Sequence, residues 1–339
     1  MACGSGSFPR VRLRRIRQQA WSRDLVAETS LYLDDLILPL FVGRDEGDIK
    51  ERGKIPLGLP CVTLGQLERF VCEQVVPSGV RAIMLFPVVP AVLKDQAGSY
   101  ALKSDGLVPQ ALRCLKACAP DLGCIVDVAL DPYTSHGHDG LVREGTVLND
   151  ETAEVLAQMA CLYAENGADC VAPSDMMDGR IGVIRGALEG RGHHNTMIMA
   201  YAAKYASAFY GPFRDVMGVK HQAKGFHKKT YQMDVRNQKE ALRETRLDVQ
   251  EGADFVVVKP GGLSLDVLAN LNKEVAIPLV AYQVSGEFAM LRAASKMGWI
   301  TYEQALLESM VVMKRAGASA ILTYGALDVA RLLKEASAS

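Results

Sequence analysis

Short apolar, β-branched runs recur along the chain, separated by longer stretches whose apolar residues fall at helical spacing. The runs lie at 37–42 (ILPLFV), 81–87 (RAIMLFP), 123–130 (GCIVDVAL), 169–174 (DCVAPS), 196–203 (TMIMAYAA), 254–260 (DFVVVKP), 278–285 (PLVAYQVS) and 319–325 (SAILTYG). Each predicts a strand. Helical spacing is clearest at 151–168 and 241–253. A Gly-Ala pair precedes three of the strands, at Gly167-Ala168, Gly252-Ala253 and Gly317-Ala318. Glycine there suits a helix C-cap feeding a strand.

Strands alternating with helices predict an α/β protein, a closed parallel (β/α)8 TIM barrel. The runs are apolar on both faces, as strands covered inside and outside must be. An open doubly wound sheet is the rival arrangement, but no G-x-G-x-x-G follows an early strand. The barrel is expected over 36–339, preceded by an extended, arginine-rich N-terminal arm over 1–35. Trp21, Leu25, Leu31 and Leu33 give that arm something to bury, which favours packing on a neighbouring subunit over a disordered tail.

Composition narrows the function. The 339 residues carry a formal net charge of -1, and 49% are apolar. No basic domain stands out, so a nucleic-acid partner is not expected. No run approaches the ~20 apolar residues of a spanning helix, and the basic N-terminus lacks the apolar stretch of a secretory signal. The eight cysteines form no C-x-x-C pair and read as reduced thiols of a cytoplasmic protein.

In such a barrel the active site lies where strands end. Reading the strand ends gives Asp127, Ser174 and Asp175, Lys204, Lys259, Ser285 and Tyr324. Lys259 closes the run FVVVK, so its amine is costly to charge. Desolvation and a second cation from Lys204 on the adjacent strand would both favour the free amine, a nucleophile for ketones. A single strand-end lysine more often snorkels or pairs with an acid; two on neighbouring strands weaken that reading. The loop 131–139 (DPYTSHGHD) offers Asp131, Asp139 and two histidines. It is either a site for a hard cation such as Mg2+ or an ordered loop without metal; with no thiolates, zinc is not expected. The basic stretch 211–234 after Lys204 reads as an active-site lid, with Arg214, Lys220, Lys224, Lys228 and Lys229 facing a carboxylate substrate or plain solvent.

Eight segments, LILPLFV, DVALDPYTSHGHDG, VAPSDMMDGRIG, MAYAAKYASAFYGPFRD, TYQMD, GADFVVVKP, YQVSGEFAM and LTY, closely resemble the porphobilinogen synthase (δ-aminolevulinic acid dehydratase) family. The resemblance covers nearly the whole chain. It implies condensation of two 5-aminolevulinate molecules to porphobilinogen, with Lys204 and Lys259 as Schiff-base residues. It also implies one substrate at Lys259 with its carboxylate on Arg214, Gln232 and Lys228, and the other's carboxylate on Ser285 and Tyr324. Asp127 and Ser174 would line the pocket. Where zinc-type members carry three cysteines this chain has Ala129, Asp131 and Asp139, so it resembles the aspartate-rich, zinc-independent branch, and an active-site metal at Asp131 and Asp139 is left open. Glu244 matches the position of a remote, activating allosteric Mg2+ ion. The segment GGLSLD after Pro260 departs from the family's bulkier, tyrosine-containing sequence. The arm implies a homo-octamer. Two rivals are a single-lysine Schiff-base aldolase on the same fold and a barrel that has lost catalysis and serves as a scaffold.

Overall fold

The structure, a computed structural model, describes residues 6–50, 58–217 and 227–338. Eight parallel strands carry the fold: β1 Leu36–Gly43, β2 Ala82–Val88, β3 Gly123–Val128, β4 Cys170–Pro173, β5 Met197–Lys204, β6 Phe255–Lys259, β7 Leu279–Gln283 and β8 Ala320–Thr323. Each pairs with its successor, and β8 returns to β1 through Leu36↔Ile321 and Ile37↔Leu322, which closes the barrel. All eight strand readings coincide with observed strands. Two small elements were not foreseen: a strand Cys61–Thr63 beside β1, and a hairpin of Val142–Arg143 with Thr146–Val147. Both are too short to leave an apolar rhythm.

The chain folds this way because the strands are apolar on both sides. All eight residues of β1 are buried, as are the last four of β6. The interior is filled by large rings, among them Phe41, Phe86, Tyr201 and Tyr282, all fully buried. The Gly-Ala pairs act as read. Gly167, Gly252 and Gly317 adopt φ of 102°, 106° and 111°, and the following alanine N–H reaches back five residues, to Tyr163, Asp248 and Met313 carbonyls. These are Schellman caps, which end a helix and aim the chain at the next strand.

In the arm, Leu13–Arg17 and Leu33–Asp35 are 3-10 turns flanking a short helix, Ala20–Leu25. Leu31 and Leu33 rest on the barrel core. Trp21 and Leu25 do not: they are 68% and 76% exposed. Among the described residues, no helix is long and apolar enough to cross a membrane.

Candidate active site

The two lysines are brought together by strand register. Lys204 ends β5, Lys259 ends β6, and the two are direct partners across the pair. An irregularity between Ala200 and Ala203 sets this alignment. Both side chains are buried, and both amines lie over the same ring, Tyr201, at 5.9 and 5.3 Å from its centroid. Lys259 is caged further by Tyr282 at 4.5 Å, Tyr210 at 5.0 Å and Phe213 at 5.1 Å. Burial, reinforced by the charge of Lys204, brings the Lys259 amine down to about 7, although Asp127, Asp131 and Asp139 pull the other way. That is the condition a nucleophilic amine requires. The backbone behind it is fixed: the Lys259 carbonyl accepts from Tyr205 N–H at 3.0 Å and from the Tyr210 hydroxyl at 3.2 Å.

Lys204 has a more polar setting. Its ammonium donates to the Ser174 carbonyl and to Asp139 Oδ2, the latter at 3.4 Å. Asp127, at the end of β3, is buried beside a hydrogen-bonded Ser174 side chain. Burial and the repulsion of Asp131 push its carboxyl up to about 7 against the attraction of both lysines. Asp127 therefore sits where a proton is held or released near neutrality.

The stretch 211–234 begins with a helix, Gly211–Met217, and comes back over the site. Its middle, 218–226 with Lys220 and Lys224, lies outside the described residues. The returning segment is fixed to β5, since Met233 N–H donates to the Lys204 carbonyl at 3.0 Å. This holds Gln232 inward and buried, with Nε2 3.4 Å from Asp139 and with Oε1 free of any partner.

Lys228 is the residue whose role sequence reasoning did not anticipate. Its ammonium bridges Asp131, at 3.0 Å, and Asp139. Burial alone would raise the Asp139 carboxyl, but Lys204 and Lys228 outweigh it and hold it near 2. Two carboxylates thus face two ammonium groups. A divalent ion at Asp131 and Asp139 would have to displace Lys228, and among the described residues no three acidic, histidine or cysteine side chains form a metal-ligating cluster. The pair does not fit an active-site metal. Glu244 is different. It is half-buried on the helix Lys239–Gln250 and lines a cavity of about 470 Å³ with Asp178, Glu240 and Asn149. Burial and Asp248 raise its carboxyl to about 7. Glu244 too belongs to no cluster of three ligating side chains among the described residues, so it could hold a cation only as a hydrated Mg2+, which takes one or two carboxylates and keeps its waters.

The carboxylate clamps sort differently from the expectation. Ser285, 1% exposed, starts a helix and its Oγ accepts from Phe213 N–H at 2.9 Å. The Tyr324 hydroxyl lies 2.7 Å from that of Tyr282. Phe213 and Tyr282 are both walls of the Lys259 cage, so Ser285 and Tyr324 belong beside Lys259. Lys228 and Gln232 meet Asp139 and hence Lys204. This proximity runs opposite to the pairing the resemblance implied, because the contacts to Phe213 and Tyr282 bring Ser285 and Tyr324 to the Lys259 side. Arg214 stands at the rim; it donates to the Ser207 carbonyl at 3.2 Å, with Tyr210 5.7 Å away.

These features define a (β/α)8 barrel with two buried amines side by side in one desolvated mouth. The family model described as Delta-aminolevulinic acid dehydratase matches residues 10–332. The chain belongs to that family. It is 47% identical over 324 residues to the delta-aminolevulinic acid dehydratase of Bradyrhizobium diazoefficiens, covering 96% of this chain and 91% of that protein. The corresponding protein of Halalkalibacterium halodurans is 48% identical, with 96% and 97% covered. A crystal structure of the Toxoplasma gondii enzyme, delta-aminolevulinic acid dehydratase (porphobilinogen synthase) in complex with the reaction product porphobilinogen, superposes with a TM-score of 0.90 at 43% identity, covering 96% of this chain and 92% of that one.

Proposed function

We propose that each lysine captures one 5-aminolevulinate molecule. The chain is a lyase that condenses two of these molecules to porphobilinogen with loss of two waters, a step of haem and porphyrin synthesis. The observation that carries the two-lysine reading is the register of Lys204 with Lys259 in one desolvated mouth.

A free amine at Lys259 attacks the ketone, and loss of water gives an imine. Its protonated form is an electron sink that acidifies the neighbouring C–H. Asp127, near enough to feel the charge of both lysines and poised near neutrality, is the group placed to move that proton. Lys204 binds the second ketone through the same chemistry. Ser285 and Tyr324 orient the carboxylate of the Lys259-bound molecule; Gln232 and Lys228 receive the other, and Arg214 adds positive charge from the side of Tyr210. Holding both reactants turns a bimolecular step into an effectively unimolecular one, where effective molarities reach ~10^5 M or more. A carboxylate arriving at Lys228 would compete with Asp131 and Asp139, so ion-pair exchange accompanies binding. Glu244, with Asp178 and Glu240 lining the same cavity, would hold a hydrated Mg2+ that would supply positive charge away from the reacting atoms. The arm carries a homo-oligomer, an octamer, and the enzyme works in the cytoplasm.

The test is pyrrole formation from 5-aminolevulinate by wild-type, Lys204→Met and Lys259→Met proteins after EDTA treatment, with Mg2+ or Zn2+ restored. Both variants should lose activity by roughly 10^4-fold or more, and Mg2+ rather than Zn2+ should restore the wild type. Pyrrole formation by Lys259→Met at the wild-type rate would end the two-lysine reading. Restoration by Zn2+ alone would end the metal reading.

A further inference from the structure

Glu287 is a buried carboxylate that the chemistry above does not use. It is 7% exposed, and its partners are backbone amides rather than a cation. Oε2 accepts from Val284 N–H at 2.8 Å, at the end of β7 beside Ser285. Oε1 accepts from Leu263 N–H at 3.1 Å, and the Gly262 amide is bonded to the same carboxylate. Gly262 and Leu263 follow Lys259 by three and four residues. One side chain therefore ties the segment behind the Schiff-base lysine to the helix start that presents Ser285.

Helix capping accounts for only part of this. An acidic residue at the third helical position commonly reaches back to the cap N–H, and the Val284 bond is of that kind. The bonds to Gly262 and Leu263 cross to another strand's loop and are not required by a cap. The fit is close on both sides. A Cβ on Gly262 would lie 2.7 Å from Glu287 Oε1, and one on Gly286 would lie 2.5 Å from the Phe209 carbonyl. Gly261 N–H is held as well, at 2.7 Å from the Tyr282 carbonyl. Two glycines of the GGLSLD segment thus let β7 and the Glu287 carboxylate approach the chain just past Lys259.

We infer that Glu287 is the positioning residue of the Lys259 substrate pocket, fixing the distance between the imine-forming amine and the Ser285 hydroxyl that receives the substrate carboxylate. The inference rests on the two-lysine reading above. It predicts a defect confined to one of the two substrate positions. Glu287→Gln keeps the size but replaces one acceptor oxygen with an NH2 that faces a backbone N–H. Charged hydrogen bonds of this kind correspond to roughly tenfold to hundredfold in affinity.

The experiment uses the full chain. Borohydride reduction at sub-saturating 5-aminolevulinate, followed by peptide mass mapping, counts adducts separately at Lys204 and Lys259. Glu287→Gln should lower Lys259 adduct at least tenfold and raise KM by a similar factor, with Lys204 adduct unchanged. Gly262→Ala, which leaves Glu287 in place but pushes its carboxylate off the amides, should reproduce the pattern if Glu287→Gln fails to fold. Equal loss at both lysines, or loss at neither, would overturn the proposal. Absence of adduct at either lysine in the wild type would instead overturn the two-lysine reading itself.

Discussion

The two lysines that end neighbouring strands of this barrel sit in different surroundings. Lys204 meets Asp139, whereas Lys259 is enclosed by four rings, and burial followed by the charge of Lys204 brings its amine down to about 7. Imine formation at Lys259 should therefore rise about tenfold per pH unit below a midpoint near 7 and level off above it. Trapping with borohydride at low 5-aminolevulinate across pH 5–9 gives the profile, and a midpoint near 10 would refute the desolvation account. The same shift has a stability sign. The folded state gives up its proton at about 7 and the unfolded state at 10.5, so the unfolded chain binds more protons in between. The contribution of Lys259 to stability rises with pH across that window and is least favourable below 7.

At the scale of elements, the barrel wall next to Lys204 contains an ionic cluster. Arg180, at the start of the helix Arg180–Gly190, is fully buried; it donates to Asp248 Oδ1 at 2.6 Å and to the Tyr201 carbonyl at 3.2 Å, and its Nε lies 3.8 Å from Asp175. One guanidinium thus joins three elements: the loop after β4, strand β5, and the helix carrying Glu244. Burial pushes the Asp175 carboxyl up to about 6 against the pull of the Arg180 charge. Arg180→Met removes the cation and strands two buried carboxylates, which should cost roughly 3–5 kcal/mol. Urea denaturation at pH 7.5 measures it, and a loss under about 1 kcal/mol would show that the cluster does not hold these elements together. Lowering the pH should soften the defect, because the stranded carboxylates then take up protons.

For the whole molecule, the arm is where apolar surface is left uncovered. Phe8, Leu13, Trp21 and Leu25 are each at least two-thirds exposed, while Asp34 and Asp35 are anchored to Arg81 and Lys314 of the barrel. An apolar segment fixed at one end and uncovered at the other fits a surface that a second copy buries. Deleting residues 1–30 should leave the barrel folded and reduce the assembly to a smaller species by light scattering. An unchanged mass would remove the arm from the interface. Two of the rivals considered from sequence are set aside: a single-lysine aldolase does not need the second buried amine, and a scaffold does not need a lysine held near neutrality.

The linear order of residues was sufficient for whatever depends on local pattern. Eight doubly apolar runs predicted the strands, Gly-Ala pairs marked where helices stop, and strand-end polar residues picked Lys204, Lys259, Asp127, Ser174, Ser285 and Tyr324 out of the chain. These signals are legible because backbone geometry converts spacing directly into face and position. Which groups touch was decided only on closure of the barrel. Lys228 sits between Asp131 and Asp139, about 90 residues away along the chain, and this turned a metal candidate into an ion-pair lock. Ser285 came to Lys259 rather than to its partner, and Glu287 reached the loop behind that lysine. Charge, desolvation and hydrogen bonding act through space over a few ångströms, so they belong to the tertiary structure and leave no periodic mark in the sequence.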